Sequence, residues 1–221
     1  MEILTQQLFR AIPLLAEGFL VTVRIFVLTL LFSMPCGFLI AFGRMSKNVI
    51  LRSVTKLYIS IMRGTPLMLQ ILVVYFAPHY IFGMSTRGYR FPAIIIAFSL
   101  NYAAYFAEIY RSGIESMPVG QYEAAQVLGY NKVQTFFCII LPQVMKRVLP
   151  AITNETITLV KDTYRAFTIS VLEMCTIAKQ ISAEDASLTA LMAAGVFYYV
   201  FNLLIARFME YLEKRMSYYR L

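Results

Sequence analysis

The chain has 221 residues, of which 59% are hydrophobic and only 14% charged, whereas about a quarter of the residues in soluble domains are charged. This composition excludes an ordinary soluble domain and favours several membrane spans. The formal net charge of +8 is compatible with nucleic-acid binding, but the cations lie between apolar blocks, the pattern that marks the cytoplasmic face of a membrane protein. We therefore predict a lipid-embedded protein that binds no nucleic acid.

Residues that hold metals or form disulfides are few and scattered. Cys36, Cys138 and Cys175 are unpaired by spacing, and the single His79 has no metal-ligating neighbour in the sequence. The first ten residues lack the basic region and the small-residue cleavage site of a signal peptide. We expect no disulfide and no metal centre, and we expect the first apolar stretch to be retained.

Five apolar stretches are long enough to cross about 30 Å of hydrocarbon. They predict an all-α, polytopic membrane protein with five transmembrane helices, forming a single domain over residues 1–221. In chain order, the approximate limits of the spans are 19–42, 57–82, 91–109, 148–172 and 188–208. The second span is interrupted by Arg63-Gly64-Thr65-Pro66, and the fourth carries several charges.

Lysine and arginine predict the orientation of the spans. They are concentrated between spans one and two, between spans three and four, and after span five, which is the excess expected on the cytoplasmic side. The cations on that side are Arg44, Lys47, Arg52, Lys56, Arg111, Lys132, Lys146, Arg147, Lys214, Arg215 and Arg220. The sequence therefore predicts an N-terminus outside the cell and a C-terminus in the cytoplasm.

The longest segment outside the spans covers about residues 118–147, between spans three and four. Its composition predicts short amphipathic helices, which Pro118 and Gly120 open, Gly129 ends and Pro142 breaks again. A connection of this length with helices of its own is more than a linker, and it favours a docking element.

Within this loop, Glu123-Ala124-Ala125 is followed by Gly129 and then by Ile140-Leu141-Pro142. The pattern resembles the EAA loop of ATP-binding-cassette (ABC) importer permeases, which have the MetI-like fold. Two small alanines let a short helix sit deeply in a groove, and a glycine reverses the chain after it. The resemblance implies a coupling helix that docks on a separate ATPase subunit; a surface hairpin with alanines by chance is the alternative. The implied coupling residues are Glu123, Ala124, Ala125, Gly129, Leu141 and Pro142.

Three further blocks narrow the resemblance to polar amino-acid permeases. Residues 58–70 resemble a segment that contains RGTPLLVQ, residues 101–111 resemble NxxAYxAExxR, and residues 154–163 resemble NExxxxxKDTS. The resemblance covers the chain from about residue 18 onward and is of the histidine, glutamine, arginine and cystine type.

The same resemblance implies where the protein works and with what. It implies a bacterial cytoplasmic membrane and an assembly with ABC ATPase subunits, a second permease subunit that is identical or related, and an extracytoplasmic substrate-binding protein. ATP and Mg are expected in the ATPase subunits. We therefore expect this chain to bind no cofactor and to be no enzyme.

Pro66 interrupts the second span, because proline removes a backbone donor and leaves carbonyls that water or a ligand can use. The resemblance places the interruption near the cytoplasmic end of that span. A packing kink at the start of the helix and a contact with a ligand are both open interpretations.

Charges within the fourth span are costly and need a partner or an aqueous cavity. Glu155 and Asp162 are seven residues apart, so they share one helix face with about 10 Å between them, and Asp162 and Arg165 have the spacing of an ion pair. Either these charges neutralise one another structurally, or they line a translocation path and bind the charged groups of an amino acid. The predicted substrate-path residues are Asn101, Glu155, Lys161, Asp162, Thr163 and Arg165.

The sequence departs from the family pattern after Thr163, where Tyr164 and Arg165 replace the usual serine and leucine. If these side chains face the path, the pocket is smaller and more positive than usual. A strictly cationic substrate is then less favoured, and a neutral or dicarboxylic one such as glutamine or cystine is more favoured.

Two other functions are less compatible with the sequence. The phosphate loop GxxxxGK[ST] is absent, because the spacing from Gly83 to Gly88 is followed by Tyr89 where lysine is required. A self-powered ATPase or membrane enzyme is therefore disfavoured. A secondary transporter or channel that uses the fourth span as an ion or proton relay is the alternative, although such proteins commonly have more spans and repeated halves.

Overall fold

The computed structural model describes the backbone of residues 2–216 and the side chains of residues 7–216. The described chain is built from helices and contains no strand, which confirms the all-α prediction. The predicted C-terminal cation Arg220 lies outside the described residues. The elements are α1 (Glu2–Met45), α2 (Val49–Gly64), α3 (Leu67–Phe82), α4 (Arg90–Glu115), α5 (Val119–Val127), α6 (Lys132–Gln134), a π-helical turn (Thr135–Ile140), α7 (Leu141–Asp162), a 3₁₀ helix (Thr163–Ile169), α8 (Met174–Glu184) and α9 (Thr189–Met216).

Four helical stretches of the described chain are long and apolar enough to cross a membrane, namely Gln7–Met45, Arg90–Glu115, Lys132–Ile169 and Thr189–Met216. The pair α2 and α3 also qualifies if it is one span, although its two helices are bent by 112°. Each of the five predicted apolar stretches therefore lies largely in helical structure. The limits of the spans relative to the membrane stay predictions.

Helix α4 lies at the centre of the bundle and packs against α1, α2, α3 and α7. Its aromatic side chains Phe98, Tyr102 and Phe106 are almost fully buried. Small residues bring α1 close to it, because a Cβ atom at Gly37 would lie 2.7 Å from the Phe106 Cβ and 3.0 Å from the Ala103 carbonyl oxygen. Close approach through small residues is how helices associate where lipid offers no hydrophobic driving force.

A second close crossing joins α4 to α7. A Cβ atom at Gly113 would clash with Val148 Cγ1 and would lie 3.1 Å from Val144 Cγ1. No side chain fits between the two helices at this point. The crossing therefore sets the position of α7, the helix that carries the predicted charged residues, against α4.

The interruption at Pro66 separates two helices of 16 residues each. Helix α2 begins at Val49 rather than near residue 57, because Asn48 caps it by accepting hydrogen bonds from the N–H groups of Ile50 (2.9 Å) and Leu51 (3.3 Å). The predicted limit of the apolar stretch at residue 57 is thus not the start of the helix, whereas the position of the break relative to the membrane stays a prediction. Side-chain capping starts the helix earlier than the apolar pattern indicates.

The loop between α4 and α7 follows the prediction at Gly129 and departs from it at Pro142. Gly129 has φ +78°, its N–H donates to the Gln126 carbonyl (3.0 Å), and the Tyr130 N–H donates to the Ala125 carbonyl (3.0 Å). These two bonds form a Schellman motif, which ends α5 and reverses the chain.

Pro142 breaks no helix, contrary to the prediction, since helical structure continues from Lys132 to Ile169. The proline lies in the first turn of α7, directly after the π-helical turn. In a regular α-helix the proline ring clashes with the carbonyl four residues earlier, and the wider π-helical turn gives it room.

The fourth apolar stretch ends in a tightened turn. Helix α7 passes into the 3₁₀ helix at Thr163, and the chain reverses at Ser170, which has φ 58°. Leu172, the predicted end of the span, lies outside the helix. The buried Glu173 then caps α8, accepting hydrogen bonds from the N–H groups of Cys175 (2.8 Å) and Thr176 (2.7 Å) and from the Tyr198 hydroxyl (3.0 Å).

Candidate functional site

A cavity of about 280 Å³, called the central cavity below, lies where the break between α2 and α3 meets α4, α7 and the 3₁₀ helix. Its position between helices of the bundle is typical of small-molecule sites in helical proteins. The residues that line it are Thr65, Pro66, Leu67, Asn101, Tyr102, Tyr105, Glu155, Thr158, Asp162 and Arg165.

Two amide side chains brace the break in the helix. Asn101 Nδ2 donates to the Met62 carbonyl (3.0 Å) and to Gln70 Oε1 (2.9 Å). Gln70 Nε2 donates to the same carbonyl (2.9 Å) and to Thr65 Oγ1 (2.8 Å). The Met62 carbonyl, which the break leaves without its helical donor, therefore accepts hydrogen bonds from these two side chains. This supports the packing interpretation at Met62. Thr65, by contrast, lines the cavity.

The three charged residues of the central cavity differ in their partners. Asp162 Oδ1 lies 3.1 Å from Arg165 Nη2, so the predicted ion pair is present, and Asp162 Oδ2 accepts a hydrogen bond from the Tyr102 hydroxyl (3.0 Å). Within the described chain, Glu155 makes no hydrogen bond and no ion pair, and the buried Arg165 Nε has no acceptor. The cavity thus offers one free carboxylate and one incompletely paired guanidinium.

The structure brings four of the six predicted substrate-path residues together: Asn101, Glu155, Asp162 and Arg165 line the central cavity. Lys161 is exposed and lies outside the lining. Thr163 is fully buried, donates to the Val160 carbonyl (2.7 Å) and lies 3.4 Å from the Tyr198 hydroxyl. Successive helical residues point about 100° apart, so the run from Lys161 to Thr163 has no common face.

Sequence reasoning missed part of the lining. Tyr102 and Tyr105 follow Asn101 along α4, and Thr158 lies one turn after Glu155 on α7. Thr158 and Tyr105 have the helical spacing that places side chains on one face, so extending the pattern from Glu155 and Asn101 would have found them. Leu67 has no such signal, because only the bend between α2 and α3 brings it to the cavity.

A second cavity, of about 270 Å³, adjoins the central one and shares Tyr105 and Glu155 with it. Its other lining residues are Arg63, Glu108, Ile109, Arg111 and Ser112. The Arg63 guanidinium carbon lies 5.3 Å from the Tyr105 ring centroid, within cation–π range. The two cavities together follow α4 from Asn101 to Ser112, about 16 Å along the helix axis.

The predicted coupling residues lie on and beside α5. Glu123 and Ala124 are exposed, whereas Ala125 is buried against the rest of the chain. Leu141 is half-buried and Pro142 is exposed at the start of α7. The alanine pair therefore has one inward and one outward member, and on α5 itself Glu123 and Ala124 are the predicted coupling residues that are free to contact another protein.

Large apolar side chains surround the outward face of α5. Val119, Val127 and Leu128 are 70%, 88% and 71% exposed. The loop is held to the bundle by Gln143 Nε2, which donates to Gln121 Oε1 (3.3 Å). Tyr122 of the same helix is partly buried, and this burial raises the pKa of its phenol. A fixed helix with an exposed apolar surface is typical of an interaction site.

The described residues contain no group of three or more His, Cys, Asp or Glu side chains that could hold a metal ion. The three predicted unpaired cysteines, Cys36, Cys138 and Cys175, are free thiols.

Apolar helices around a charged cavity, with an exposed helical element on the loop between α4 and α7, define a membrane transport subunit. The chain belongs to the family of binding-protein-dependent transport system inner membrane components, whose model matches residues 33–218. The resemblance to ABC importer permeases and the MetI-like fold class are thereby confirmed. The secondary transporter or channel is not favoured.

Individual relatives agree with this assignment. The chain is 36% identical over 203 residues to a putative glutamine transport system permease protein of Rickettsia conorii, covering 91% of this chain and 92% of the relative. It is 36% identical over 210 residues to the L-cystine transport system permease protein of Bacillus subtilis, covering 94% and 88%.

Solved structures share the fold. A crystal structure of an amino acid ABC transporter with histidines matches with a TM-score of 0.85 and 30% identity, covering 94% of this chain and 96% of that chain. An inward-facing methionine ABC transporter matches with a TM-score of 0.69 and 18% identity, covering 98% and 99%, a level of identity that shows the fold alone.

Proposed function

We propose that this chain is the membrane-spanning subunit of an ATP-driven importer that carries a polar α-amino acid into the cytoplasm. The substrate class is glutamine, cystine or a basic amino acid. The observation that carries the proposal is the central cavity, in which the unpaired Glu155 carboxylate and the Arg165 guanidinium lie between apolar helices. An amino acid has one cationic and one anionic group, and it complements such a pair.

Several of the lining groups have a proposed role in holding the substrate. Glu155 and Asp162 bind the α-ammonium or a side-chain donor. Both hydrogens of the Asn101 amide are engaged with Met62 and Gln70, so its carbonyl oxygen is the atom available to a ligand. The N-terminal turn of α3 begins at Leu67, beside the cavity, and free N–H groups at such half-helix ends favour anionic groups.

The second cavity supplies the proposed exit. It continues from Tyr105 and Glu155 along α4 toward the loop that carries α5. In the proposed orientation the N-terminus is outside the cell and that loop is cytoplasmic. Arg63, stacked on Tyr105, stands at the boundary between the two cavities, so movement of that pair opens the route inward.

The exposed face of α5 is the proposed contact with the ATPase subunits. Glu123 and Ala124 enter a groove of the ATPase, and closure of the ATPase dimer on ATP moves the helices that line the cavity. ATP and Mg bind in the ATPase subunits, so this chain hydrolyses nothing and holds no cofactor. The solved structure at 30% identity is described as an amino acid ABC transporter, which supports such an assembly.

Two further partners complete the proposal. Five spans enclose too little space for a path on their own, so a second permease subunit, identical or related, is expected beside this one. An extracytoplasmic binding protein delivers the amino acid, an arrangement supported by the alginate transporter solved with its periplasmic protein.

Affinity isolation of the tagged chain from its native membrane tests the assembly. An ATPase subunit should co-purify, and its ATP hydrolysis should rise when the liganded binding protein is added. Isolation of the chain without any ATPase, together with uptake driven by a proton gradient, would support the secondary transporter instead.

A further inference from the structure

We infer that Arg165 binds the α-carboxylate of the transported amino acid, so that this subunit itself selects substrates with a free carboxyl group. The inference rests on the proposed function and goes beyond it, because it assigns one group of the substrate to one side chain. It also makes a carboxyl-blocked amino acid a poor ligand of the cavity, whatever its side chain.

Arg165 is the one cation that lines the central cavity in the described part of the chain, beside the two carboxylates Glu155 and Asp162. A carboxylate that enters the cavity meets no other cationic side chain there. Without Arg165, two acidic side chains would repel it, because charges between apolar helices are weakly screened.

The guanidinium has binding capacity that the protein leaves unused. Arginine carries five N–H donors in a planar fork. Nη2 lies 3.1 Å from Asp162 Oδ1, whereas Nε is buried and has no acceptor in the described chain. Nε is closed to a ligand, but Nη1 is not among the buried atoms and also has no acceptor in the described chain, so the outer side of the guanidinium can donate to a carboxylate that enters the cavity.

Neighbouring side chains hold the guanidinium in place. Tyr102 fixes Asp162 through a hydrogen bond of 3.0 Å, and Asp162 in turn holds Arg165. The Arg165 guanidinium carbon lies 5.8 Å from the Tyr164 ring centroid, and that ring stacks on Phe167 with an interplanar angle of 15°. Since the side chain is positioned before a ligand arrives, little rotamer freedom is lost on binding.

The charges along the path support a zwitterion. The ionisable side chains that line the two cavities comprise three cations and three anions, so their formal charges sum to zero. An amino acid with no net charge leaves this balance unchanged. When its carboxylate binds Arg165, its ammonium group lies near Asp162, which is the neighbour of Arg165 in the cavity. The cations are Arg63, Arg111 and Arg165, and the anions are Glu108, Glu155 and Asp162.

Competition binding to the permease–ATPase assembly, without the binding protein, tests the assignment. The assembly in lipid nanodiscs is titrated with radiolabelled L-glutamine, L-arginine and L-cystine, and each is competed by itself and by its α-carboxamide. We expect the free acid to compete about tenfold or more better than the carboxamide, the scale of one hydrogen bond to a charged group.

Variants separate recognition from structure. Arg165→Met should bring the two competitors to similar affinity by weakening only the free acid. Arg165→Gln, which retains polarity without charge, should do the same and decides the question if Arg165→Met fails to assemble. Arg52→Met, the same change at an exposed position of α2, should keep the wild-type preference.

Three results would overturn the assignment and leave the proposed function intact. They are equal competition by acid and carboxamide in the wild type, equal weakening of both competitors in the Arg165 variants, and absence of binding to the assembly while ATP-dependent uptake proceeds. Absence of ATP-dependent uptake of all three amino acids, with the binding protein present, would instead overturn the proposed function together with the assignment.

Discussion

The hydroxyl of Tyr102, at the centre of α4, donates a hydrogen bond of 3.0 Å to Asp162 Oδ2, at the end of α7. Tyr102 is 2% exposed, so this bond links the buried face of the central helix to the charged cavity. Asp162 also holds Arg165 through its other oxygen. The tyrosine thereby positions a carboxylate and a guanidinium that belong to a different helical segment.

Removing that hydroxyl should weaken substrate binding with little effect on folding. Tyr102→Phe keeps the ring in its buried site and leaves one lone pair of Asp162 without its donor. We expect the dissociation constant of the bound amino acid to rise about tenfold, the scale of a hydrogen bond to a charged group, as measured by equilibrium binding to the assembly. Tyr110→Phe is the matched control, because Tyr110 is also buried in α4 and its hydroxyl has no partner in the described chain.

Neutralising Glu155 should change transport more than stability. The carboxylate makes no hydrogen bond or ion pair in the described chain, so Glu155→Gln removes an unpaired charge and should leave the melting temperature unchanged or raised. We expect uptake of the best substrate to fall about tenfold or more, because its ammonium or amide group loses an ionic partner. Glu17→Gln, at an exposed position of α1, is the control. Unchanged uptake across a panel of amino acids would show that Glu155 has a structural role.

The turn after α5 should be needed to couple this chain to the ATPase subunits. Gly129 adopts φ +78°, a conformation that costs other residues about 1–2 kcal/mol, so Gly129→Ala should distort the end of α5. We expect less ATPase to co-purify and less ATP hydrolysis in response to substrate, with the membrane helices intact by thermal unfolding. Glu123→Ala should act in the same direction. Gly120→Ala, where an added Cβ meets nothing within 4 Å, should behave as the wild type.

The crossing of α4 and α7 should tolerate no added methyl group. Gly113→Ala places a Cβ directly against Val148 Cγ1, well inside van der Waals contact, and overpacking of this kind costs about 1–3 kcal/mol. The expected result is a lower melting temperature of the purified assembly. Gly195→Ala provides the comparison, since its Cβ contacts nothing within 4 Å in α9, and it should preserve or slightly raise stability. Equal melting temperatures for the two variants would contradict so close a crossing.

Much of the fold could be predicted, because lipid imposes simple rules. Apolar length predicts helices, and the glycine at position 129 predicts the end of α5, which the Schellman bonds confirm. The early start of α2 could not be read from hydropathy, since it depends on the Asn48 cap. Pro142 misled the prediction because proline is compatible with a helix directly after a π-helical turn.

The cavity was predictable in part, for a geometric reason. Helical spacing correctly predicts that Glu155 and Asp162 share one cavity and that Asp162 pairs with Arg165 of the following 3₁₀ helix. Spacing alone could not show that Lys161 points away, or that the α2–α3 bend brings Leu67 to the same cavity. Contacts between distant helices depend on crossings such as that at Gly113, which the sequence marks only by a small residue.

ATP-driven uptake by the reconstituted assembly tests the proposed function most directly. The permease and its ATPase are inserted into liposomes loaded with ATP and Mg, the binding protein is added outside, and entry of labelled glutamine, arginine and cystine is followed with a proton uncoupler present. An importer of this kind should accumulate at least one of these amino acids with the uncoupler and none when ATP is omitted. Uptake that proceeds without ATP and stops with the uncoupler would contradict it.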